Sequence, residues 1–338
     1  MQPTRGTHRR AVLAALAATA GGCLSRVGFE PTSAWRDPPV VADRPDAIYI
    51  PAIIEGMRPL GMVEVGPLTV MLSYSYPHRF YRVTGDARSV VPVDAADSIH
   101  LMLSVNATAT GVPVVVPSGV TVAIERGGRL VTEEVVYPMI AQQMGVHYGG
   151  NIALEGAGSY AIEFTLGGTQ LETDGLLGTT AVGDRVTFTF DPAALGEISI
   201  AYPTDAGARG AMPAGPMGQR QQLPEPLAAP AGWARLGTAP MGDLRLVGFT
   251  DAEERLRVVA MTRYNRYPMP MLSLQAGDVA LTPVIDRRLG YHYRSATAGD
   301  AAAVPLRATL PPQIARHDGY ETAFMQLPAV SWGATGGG

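Results

Sequence analysis

Short runs of alternating apolar and polar residues, separated by turn-forming residues, recur along the chain from Ala47 onward. Residues 185–190 (RVTFTF) show the alternation most clearly, and it is the period of a half-buried β-strand. Few segments keep a helical period over three turns, and the 39 Gly and 28 Pro supply residues for frequent turns. Regularly spaced strands without intervening helices predict an all-β fold of antiparallel β-sandwiches.

A short motif occurs twice in the chain. Residues 138–148 contain a Pro-x-Ile triplet followed by Gly-x-His-Tyr, and residues 283–293 repeat both at the same spacing. This repeat predicts two related Ig-like sandwiches in tandem. The predicted segments are a first sandwich at residues 46–204, a Pro/Gly-rich linker at 205–231, a second sandwich at 232–330 and a tail at 331–338.

The N-terminus has the features of a secretory signal. Arg9 and Arg10 precede an apolar run at residues 11–20, which is too short to span a bilayer and ends in small residues. Cys23 is the only cysteine, and it stands where a signal peptidase would leave a lipidated N-terminus. We therefore expect an extracytoplasmic, membrane-anchored lipoprotein. The predicted segments are a signal peptide at residues 1–22 and a tether at residues 23–45.

Composition excludes several classes of function. A single cysteine allows neither an internal disulfide nor a Cys-rich metal cluster. The formal charge is −4 and the chain has no block of basic residues, which argues against nucleic-acid binding. Motifs for a zinc protease, a serine hydrolase and a phosphate-binding loop are absent, and no nucleophile has a base beside it in the sequence. We therefore expect that the protein is not an enzyme.

Histidine and methionine are the residues left to carry chemistry. Imidazole suits Cu, Fe and Zn, whereas a thioether suits soft Cu(I) or serves as a weak axial ligand. A lone histidine in a strand is more often a structural residue, and a methionine on an apolar face usually packs in the core. The residue types alone therefore leave both a metal site and ordinary packing open.

Residues 137–152 (YPMIAQQMGVHYGGNI), followed by Gly156-Ala-Gly-Ser-Tyr160, resemble the FetP/Tpd-like periplasmic iron-transport proteins. Residues 97–102 (DSIHLM) are similar to an upstream segment of the same family, DIHLE. The resemblance covers about residues 47–203. It implies an Ig-like β-sandwich that binds copper and iron and accompanies an iron permease in the membrane.

The resemblance also implies metal ligands. His100, Met139 and His147 match ligand positions of the family. Met102 stands where the family has a ligating Glu, so it would give a softer site or serve as a ligand itself.

One family ligand has no direct counterpart in this sequence. The family's His-rich loop corresponds to residues 169–174, which contain no histidine. His78 is the candidate to replace that imidazole, and Glu172 is a weaker substitute.

The second half of the chain keeps His292 but has Val284 in the place of Met139. We expect that it has no metal site. Members of the resembled family form homodimers, so we expect either a homodimer here or a pseudo-dimer in which the second sandwich takes the partner's place.

The leading prediction is a membrane-anchored extracytoplasmic metal-binding protein that supports iron uptake, with a Cu or Fe ion at the site and an iron permease as partner. Because histidine must be neutral to bind a metal, affinity is expected to decline below about pH 6.5. The alternative is a tandem Ig-like surface module without metal, acting in adhesion or assembly.

Overall fold

The computed structural model describes residues 47–84, 87–299, 304–309 and 314–332. Cys23, the predicted signal peptide and the tether lie outside the described residues. Within them almost every regular element is a strand, which confirms the all-β fold class. The tandem Ig-like arrangement stays a prediction. Among these residues, no helix is long and apolar enough to cross a membrane.

The N-terminal module comprises residues 47–201. Its strands alternate buried and exposed residues, as in β11, where every second residue from Val186 to Phe190 is buried. A short 3₁₀ helix, Pro192–Glu197, follows β11. The strands are β1 (Ile54–Glu55), β2 (Arg58–Val65), β3 (Leu68–Ser75), β4 (Phe80–Thr84), β5 (Ala87–Val91), β6 (Asp97–Ala107), β7 (Val120–Arg126), β8 (Arg129–Ala141), β9 (Gly145–Ala153), β10 (Gly158–Leu166), β11 (Val182–Phe190) and β12 (Ile200–Ala201).

The long strand β8 joins two antiparallel sets of strands. Its first part pairs with β7, giving the order β11-β10-β7-β8, and its second part pairs with β9, giving β8-β9-β6-β3-β2. Buried apolar residues of both sets, such as Leu101 and Phe164, share one core. Tyr160 lies near the start of β10, just after a glycine turn. Its hydroxyl donates to the Gly156 carbonyl at 2.8 Å, as expected for a tyrosine corner.

The C-terminal module contains a five-stranded sheet in the order β13-β14-β15-β19-β18 and a three-stranded sheet in the order β17-β16-β20. All pairings within these two sheets are antiparallel. The strands are β13 (Ala234–Met241), β14 (Leu244–Thr250), β15 (Arg255–Thr262), β16 (Ser273–Ala276), β17 (Val279–Ala280), β18 (Thr282–Asp286), β19 (Gly290–Ala298) and β20 (Leu306–Thr309).

The sequence repeat is also a repeat of structure. In the β8–β9 hairpin Met139 lies opposite His147, and in the β18–β19 hairpin Val284 lies opposite His292. Both hairpins turn through a glycine with positive φ, at Gly145 and Gly290. Because the register of the two hairpins is the same, residues can be compared between them position by position.

Residues 205–231, predicted as a linker, connect the modules but pack against both. A short helix, α1 (Pro216–Gln221), lies against β9, and the Gln221 amide donates to Asn106 Oδ1 at 3.1 Å. Farther on, Leu223 is buried and its N–H donates to the Arg266 carbonyl at 3.0 Å. The segment shows no apolar period because it is anchored by single side chains, and such anchors give no periodic signal.

The last part of the C-terminal module returns to the N-terminal module. We call residues 314–324 the return segment; it contains the short strand β21 (Ala315–Arg316). This strand runs parallel to β8, with Ala315 opposite Met139, and antiparallel to β4. The predicted second domain, residues 232–330, is therefore not self-contained, because part of it completes a sheet of the first.

Candidate metal centre

One face of the β8-β9-β6-β3-β2 sheet carries the predicted ligands. On β6, Leu101 and Leu103 face the apolar core, so His100 and Met102 face the other way. Met102 lies opposite Gly149 on β9, and residues directly opposite in a sheet share a face. His147 is therefore on that face too, and so is its partner on β8, Met139.

Gly149 leaves the space into which two of these groups project. A Cβ atom placed on Gly149 would lie 3.0 Å from His100 Nε2 and 3.2 Å from Met139 Sδ, as well as 2.8 Å from the Leu101 carbonyl oxygen. The His100 imidazole and the Met139 thioether thus approach the same point from adjoining strands. Three predicted ligands, His100, Met139 and His147, are all fully buried there.

His78 joins them from the connection between β3 and β4. Its ring centroid lies 4.0 Å from that of His100, and its side chain is buried. The Nδ1 atom of His78 is 2.8 Å from Glu55 Oε1, at the end of β1. The structure therefore places the His78 ring against that of His100.

A fourth imidazole, that of His317, was missed in the sequence. It follows β21 in the return segment, and its Nε2 atom lies 3.0 Å from His147 Nε2. Its ring centroid is 4.8 Å from that of His78 and 5.6 Å from that of His100. Nothing in the residues around His317 resembles a ligand motif, and only the strand pairing of the return segment brings it to the site.

Three of the four imidazoles bond Nδ1 to an oxygen outside the centre, which leaves Nε2 facing inward. The Nδ1 atom of His317 has no hydrogen-bond partner and lies near the Asp318 carboxylate. The Asn151 amide nitrogen donates to the His78 carbonyl at 2.9 Å, and this fixes its oxygen toward His100. The Nδ1 contacts are His78 to Glu55 at 2.8 Å, His100 to Asn151 Oδ1 at 2.8 Å, His147 to the Gly145 carbonyl at 3.0 Å and His317 to Asp318 Oδ1 at 3.4 Å.

This arrangement fits a metal ion. Acceptors at Nδ1 favour the tautomer in which Nε2 carries a lone pair, the form that binds metals. The Nε2 atoms of His78 and His100 are buried without a hydrogen-bond partner, and ligand atoms of His78, His100 and His317 all lie within 4.8 Å of one another. Imidazoles with a thioether form a donor set for copper or iron rather than for Mg²⁺ or Ca²⁺.

Burial favours the neutral form of two of these histidines. Burial, helped by the neighbouring His317, lowers the pKa of His147 to about 3. Burial and the nearby His78 and His317 place the pKa of His100 well below its usual value. Both imidazoles are therefore free of competing protons at neutral pH.

The pKa of His78 is shifted in the opposite direction. Burial works to lower its pKa, but the charge and hydrogen bond of Glu55 outweigh burial and raise the pKa to about 8. For the Asp318 carboxyl, the adjacent His317 and His78 overcome burial and lower the pKa. Two of the four imidazoles, His78 and His317, thus have a carboxylate beside the outer nitrogen, and none of the inward-facing groups described above is a carboxylate.

The remaining candidates lie elsewhere or at the margin. Met102 is buried on the same sheet face, opposite Gly149 and beside Ser73. Glu172, the weaker substitute, is wrong as a ligand of this centre: its carboxylate pairs with Arg294 at 2.5 Å on the C-terminal module. The loop of residues 169–174 is bonded to the C-terminal module, because the Glu172 carbonyl accepts a hydrogen bond from the backbone N–H of Ile285 in β18.

Comparisons with known proteins match a family model to part of each module. A family model described as Fe²⁺ transport protein matches residues 83–177, and one described as a domain of unknown function (DUF7350) matches residues 233–333. No curated protein sequence matches the chain.

Two solved structures of FetP from uropathogenic Escherichia coli strain F11 are similar. A copper-bound variant has 18% identity over 40% of this chain and 97% of its own, with a TM-score of 0.29. The as-isolated protein, expressed in the periplasm of E. coli, has 19% identity over 41% and 96%, with a TM-score of 0.30. The match of residues 83–177 to the Fe²⁺ transport protein model, which spans His100, Met139 and His147, confirms the resemblance of this chain to the FetP-like iron-transport family.

Proposed function

We propose that the protein binds a copper or iron ion at the centre formed by His78, His100, Met139 and His147, and that it supports iron uptake outside the cytoplasm. The observation that carries this is the convergence of buried imidazole Nε2 atoms whose Nδ1 atoms are already bonded. A buried polar atom without a partner is costly, and a bound cation would remove that cost at two imidazoles at once.

Iron transport as the role is supported by the family match over residues 83–177. An extracytoplasmic location fits the signal-like N-terminus of this chain. The proposal includes lipidation of Cys23 and an iron permease in the same membrane. A single acyl chain holds a protein reversibly, whereas two hold it stably.

The donor set indicates which of the two metals, copper or iron, the centre would bind more tightly. Neutral imidazole accepts both metals, but the Met139 thioether favours a soft ion such as Cu(I). Met102 stands in place of the family's Glu, which removes a hard oxygen ligand. We therefore propose that copper is held more tightly than Fe²⁺, and that iron is the transported ion.

Metal titration of the purified mature chain tests the proposal. We expect Cu(II), and Fe(II) under anaerobic conditions, to bind the wild type, and His147→Ala to weaken binding at least about tenfold. His292→Ala is the matched control, because His292 is equally buried but lies in the other module. Unchanged binding in His147→Ala would reject the centre and favour a non-metal surface module instead.

A further inference from the structure

We infer that the C-terminal module is a working part of the metal centre: it supplies His317 as a further imidazole ligand, so the domain of unknown function completes the site within one chain. This inference rests on the proposed function of the N-terminal module. It assigns the C-terminal module a role that the match over residues 233–333 does not describe.

Backbone pairing fixes where His317 lies. Strand β21 inserts between β4 and β8, so that Ala315 faces the same side as Met139. His317 comes two residues later, and its N–H donates to the Ile140 carbonyl at 3.3 Å. The side chain is thereby placed over the same sheet face as the other ligands, where 2% of the residue is exposed.

Both modules hold the return segment in this position. Toward the N-terminal module, the Tyr49 hydroxyl donates to Glu321 Oε2 at 2.7 Å, and the Thr322 hydroxyl donates to the Ala47 carbonyl at 3.1 Å. Toward the C-terminal module, the Tyr320 hydroxyl bonds to Asn265 Oδ1 at 2.8 Å. The segment is therefore a built connection between the modules and not a loosely attached end.

The turn after His317 is adapted to the close approach of the two modules. Asp318 has φ 53° and Gly319 has φ 82°, so both lie in the left-handed region. A Cβ atom on Gly319 would lie 2.1 Å from the Tyr49 carbonyl oxygen, which only glycine avoids. A non-glycine residue with positive φ costs free energy, and the surrounding contacts must hold it in place.

A hydrogen bond between His147 and His317 accounts for their contact without a metal only if His317 carries a proton on both ring nitrogens. The His147 Nδ1 atom faces the Gly145 carbonyl, which only accepts, so its Nε2 atom is an acceptor. His317 would have to donate from Nε2, and its neutral Nδ1 lone pair would then face the Asp318 carboxylate at 3.4 Å. The tautomer that suits Asp318 instead leaves two lone pairs 3.0 Å apart.

A shared cation resolves that conflict. Two imidazole nitrogens bound to one ion at about 2.0–2.1 Å each lie roughly 3 Å apart for angles of 90–110°. The separation of the Nε2 atoms of His147 and His317, 3.0 Å, already has this value. The Asp318 carboxylate would orient His317 and raise the basicity of its ligating nitrogen, as carboxylates commonly do for metal-bound histidine.

The experiment uses the full mature chain with His317→Ala and His317→Gln, the second of which keeps much of the side-chain volume. His292→Ala controls for loss of a buried histidine in the C-terminal module, and His147→Ala reports on the centre itself. Cu(II) affinity is measured by chelator competition, and the number of bound imidazole nitrogens by pulsed electron paramagnetic resonance. Circular dichroism of each variant identifies any that fail to fold.

We expect both His317 variants to lose one coordinated nitrogen and at least about tenfold in affinity, while His292→Ala retains wild-type values. If His147→Ala loses binding but both His317 variants retain the nitrogen count and affinity, the role of the C-terminal module is rejected and the proposed function stands. If His147→Ala also binds normally, the proposed function fails with it. Equal loss in His317→Gln and His292→Ala, without a change in nitrogen count, would show module destabilisation and overturn the ligand assignment.

Discussion

In the C-terminal module the Nε2 atom of His292 lies 3.2 Å from the guanidinium Nη1 atom of Arg257. His292 occupies the hairpin position that His147 occupies in the N-terminal module, and its Nδ1 atom likewise contacts the carbonyl of a turn glycine, Gly290, at 3.1 Å. A guanidinium thus stands on the side of this imidazole that corresponds to the side of His147 facing the proposed metal centre. The second hairpin therefore contains the same histidine, but its Nε2 atom faces the side chain of Arg257.

That relationship predicts that His292 has no part in metal binding. Arg257 is buried and pairs with Asp251 at 2.8 Å, and its guanidinium carbon lies 4.9 Å from the centre of the Trp233 ring. We expect Arg257→Ala to lower the free energy of unfolding by on the order of 2–3 kcal/mol, because it leaves Asp251 with only part of its charge compensation, from Arg255. Chemical denaturation measures this loss, and metal titration should show unchanged stoichiometry. A change in stoichiometry would place metal at the second hairpin and contradict our assignment.

Gly149 is the residue on which close approach of the ligands depends. In Gly149→Ala the added methyl would crowd the Leu101 carbonyl at 2.8 Å, His100 Nε2 at 3.0 Å and Met139 Sδ at 3.2 Å, so the two ligands must separate. We expect at least a tenfold loss of Cu(II) affinity and a stability loss of about 1–3 kcal/mol.

The adjoining glycine provides the control. A Cβ atom on Gly150 would meet only Val136 Cγ1, at the ordinary contact distance of 3.7 Å. Gly150→Ala should therefore bind metal as the wild type does. Competition titration of both variants measures the difference, and equal affinities in the two would show that Gly149 does not set the ligand spacing.

Metal binding is expected to release a proton at neutral pH. The pKa of His78 is raised to about 8 by Glu55, so this imidazole is mostly protonated at pH 7 and must lose its Nε2 proton to bind a metal. We expect release of about one proton per ion at pH 7 and almost none above about pH 9. Calorimetry in buffers of different ionisation enthalpy measures this number.

Glu55→Gln tests the source of that proton, because without the carboxylate the pKa of His78 falls and little should be released at pH 7. Unchanged release in Glu55→Gln would exclude His78 as the source. For the metal-free protein the sign follows from the raised pKa: His78 contributes stability below about pH 6.5 that is lost as the pH rises through about 8.

The two buried neutral histidines act in the reverse direction. Their pKa values are lowered, to about 3 for His147, so they contribute stability above about pH 6.5 that is lost as the pH falls toward 3. Because the pKa of His78 is raised to about 8, we also expect metal binding to weaken as the pH falls through about 8. The sequence indicates only the ordinary pKa of a histidine. The lowered pKa values of His100 and His147 follow from their burial, and the raised pKa of His78 follows from its contact with Glu55.

Local signals in the sequence account for the strands and for most of the site. Alternation predicted strands such as β11, and the family resemblance selected Met139 and His147, which lie opposite each other in the β8–β9 hairpin. His317 was not predictable in this way, because a two-residue strand has no period to detect. Its pairing with β8 and β4 is a contact between distant parts of the chain, set by the packing of the two modules.

Met139 and Met102 lie on one sheet face, yet they are expected to differ in chemistry. The Met139 sulfur faces the Gly149 space that His100 also enters, whereas Met102 lies beside Ser73, whose hydroxyl donates to the Met217 sulfur at 3.4 Å. Leucine has nearly the volume of methionine but no donor atom, so either substitution should cost less than about 1.5 kcal/mol of stability. We expect Met139→Leu to weaken Cu(I) binding at least about tenfold and Cu(II) binding much less, because the thioether prefers the softer ion.

Met102→Leu is the matched variant, and it should leave both affinities unchanged if Met102 only packs. Cu(I) affinity is measured under anaerobic conditions by competition with a chromophoric chelator, and Cu(II) affinity separately with an amino-acid competitor. Loss of Cu(I) binding in Met102→Leu as well would make Met102 a second thioether ligand, as its position in the family motif allows. Wild-type Cu(I) affinity in Met139→Leu would instead reduce the centre to its imidazoles, and the preference for copper over Fe²⁺ would then have to come from histidine geometry alone.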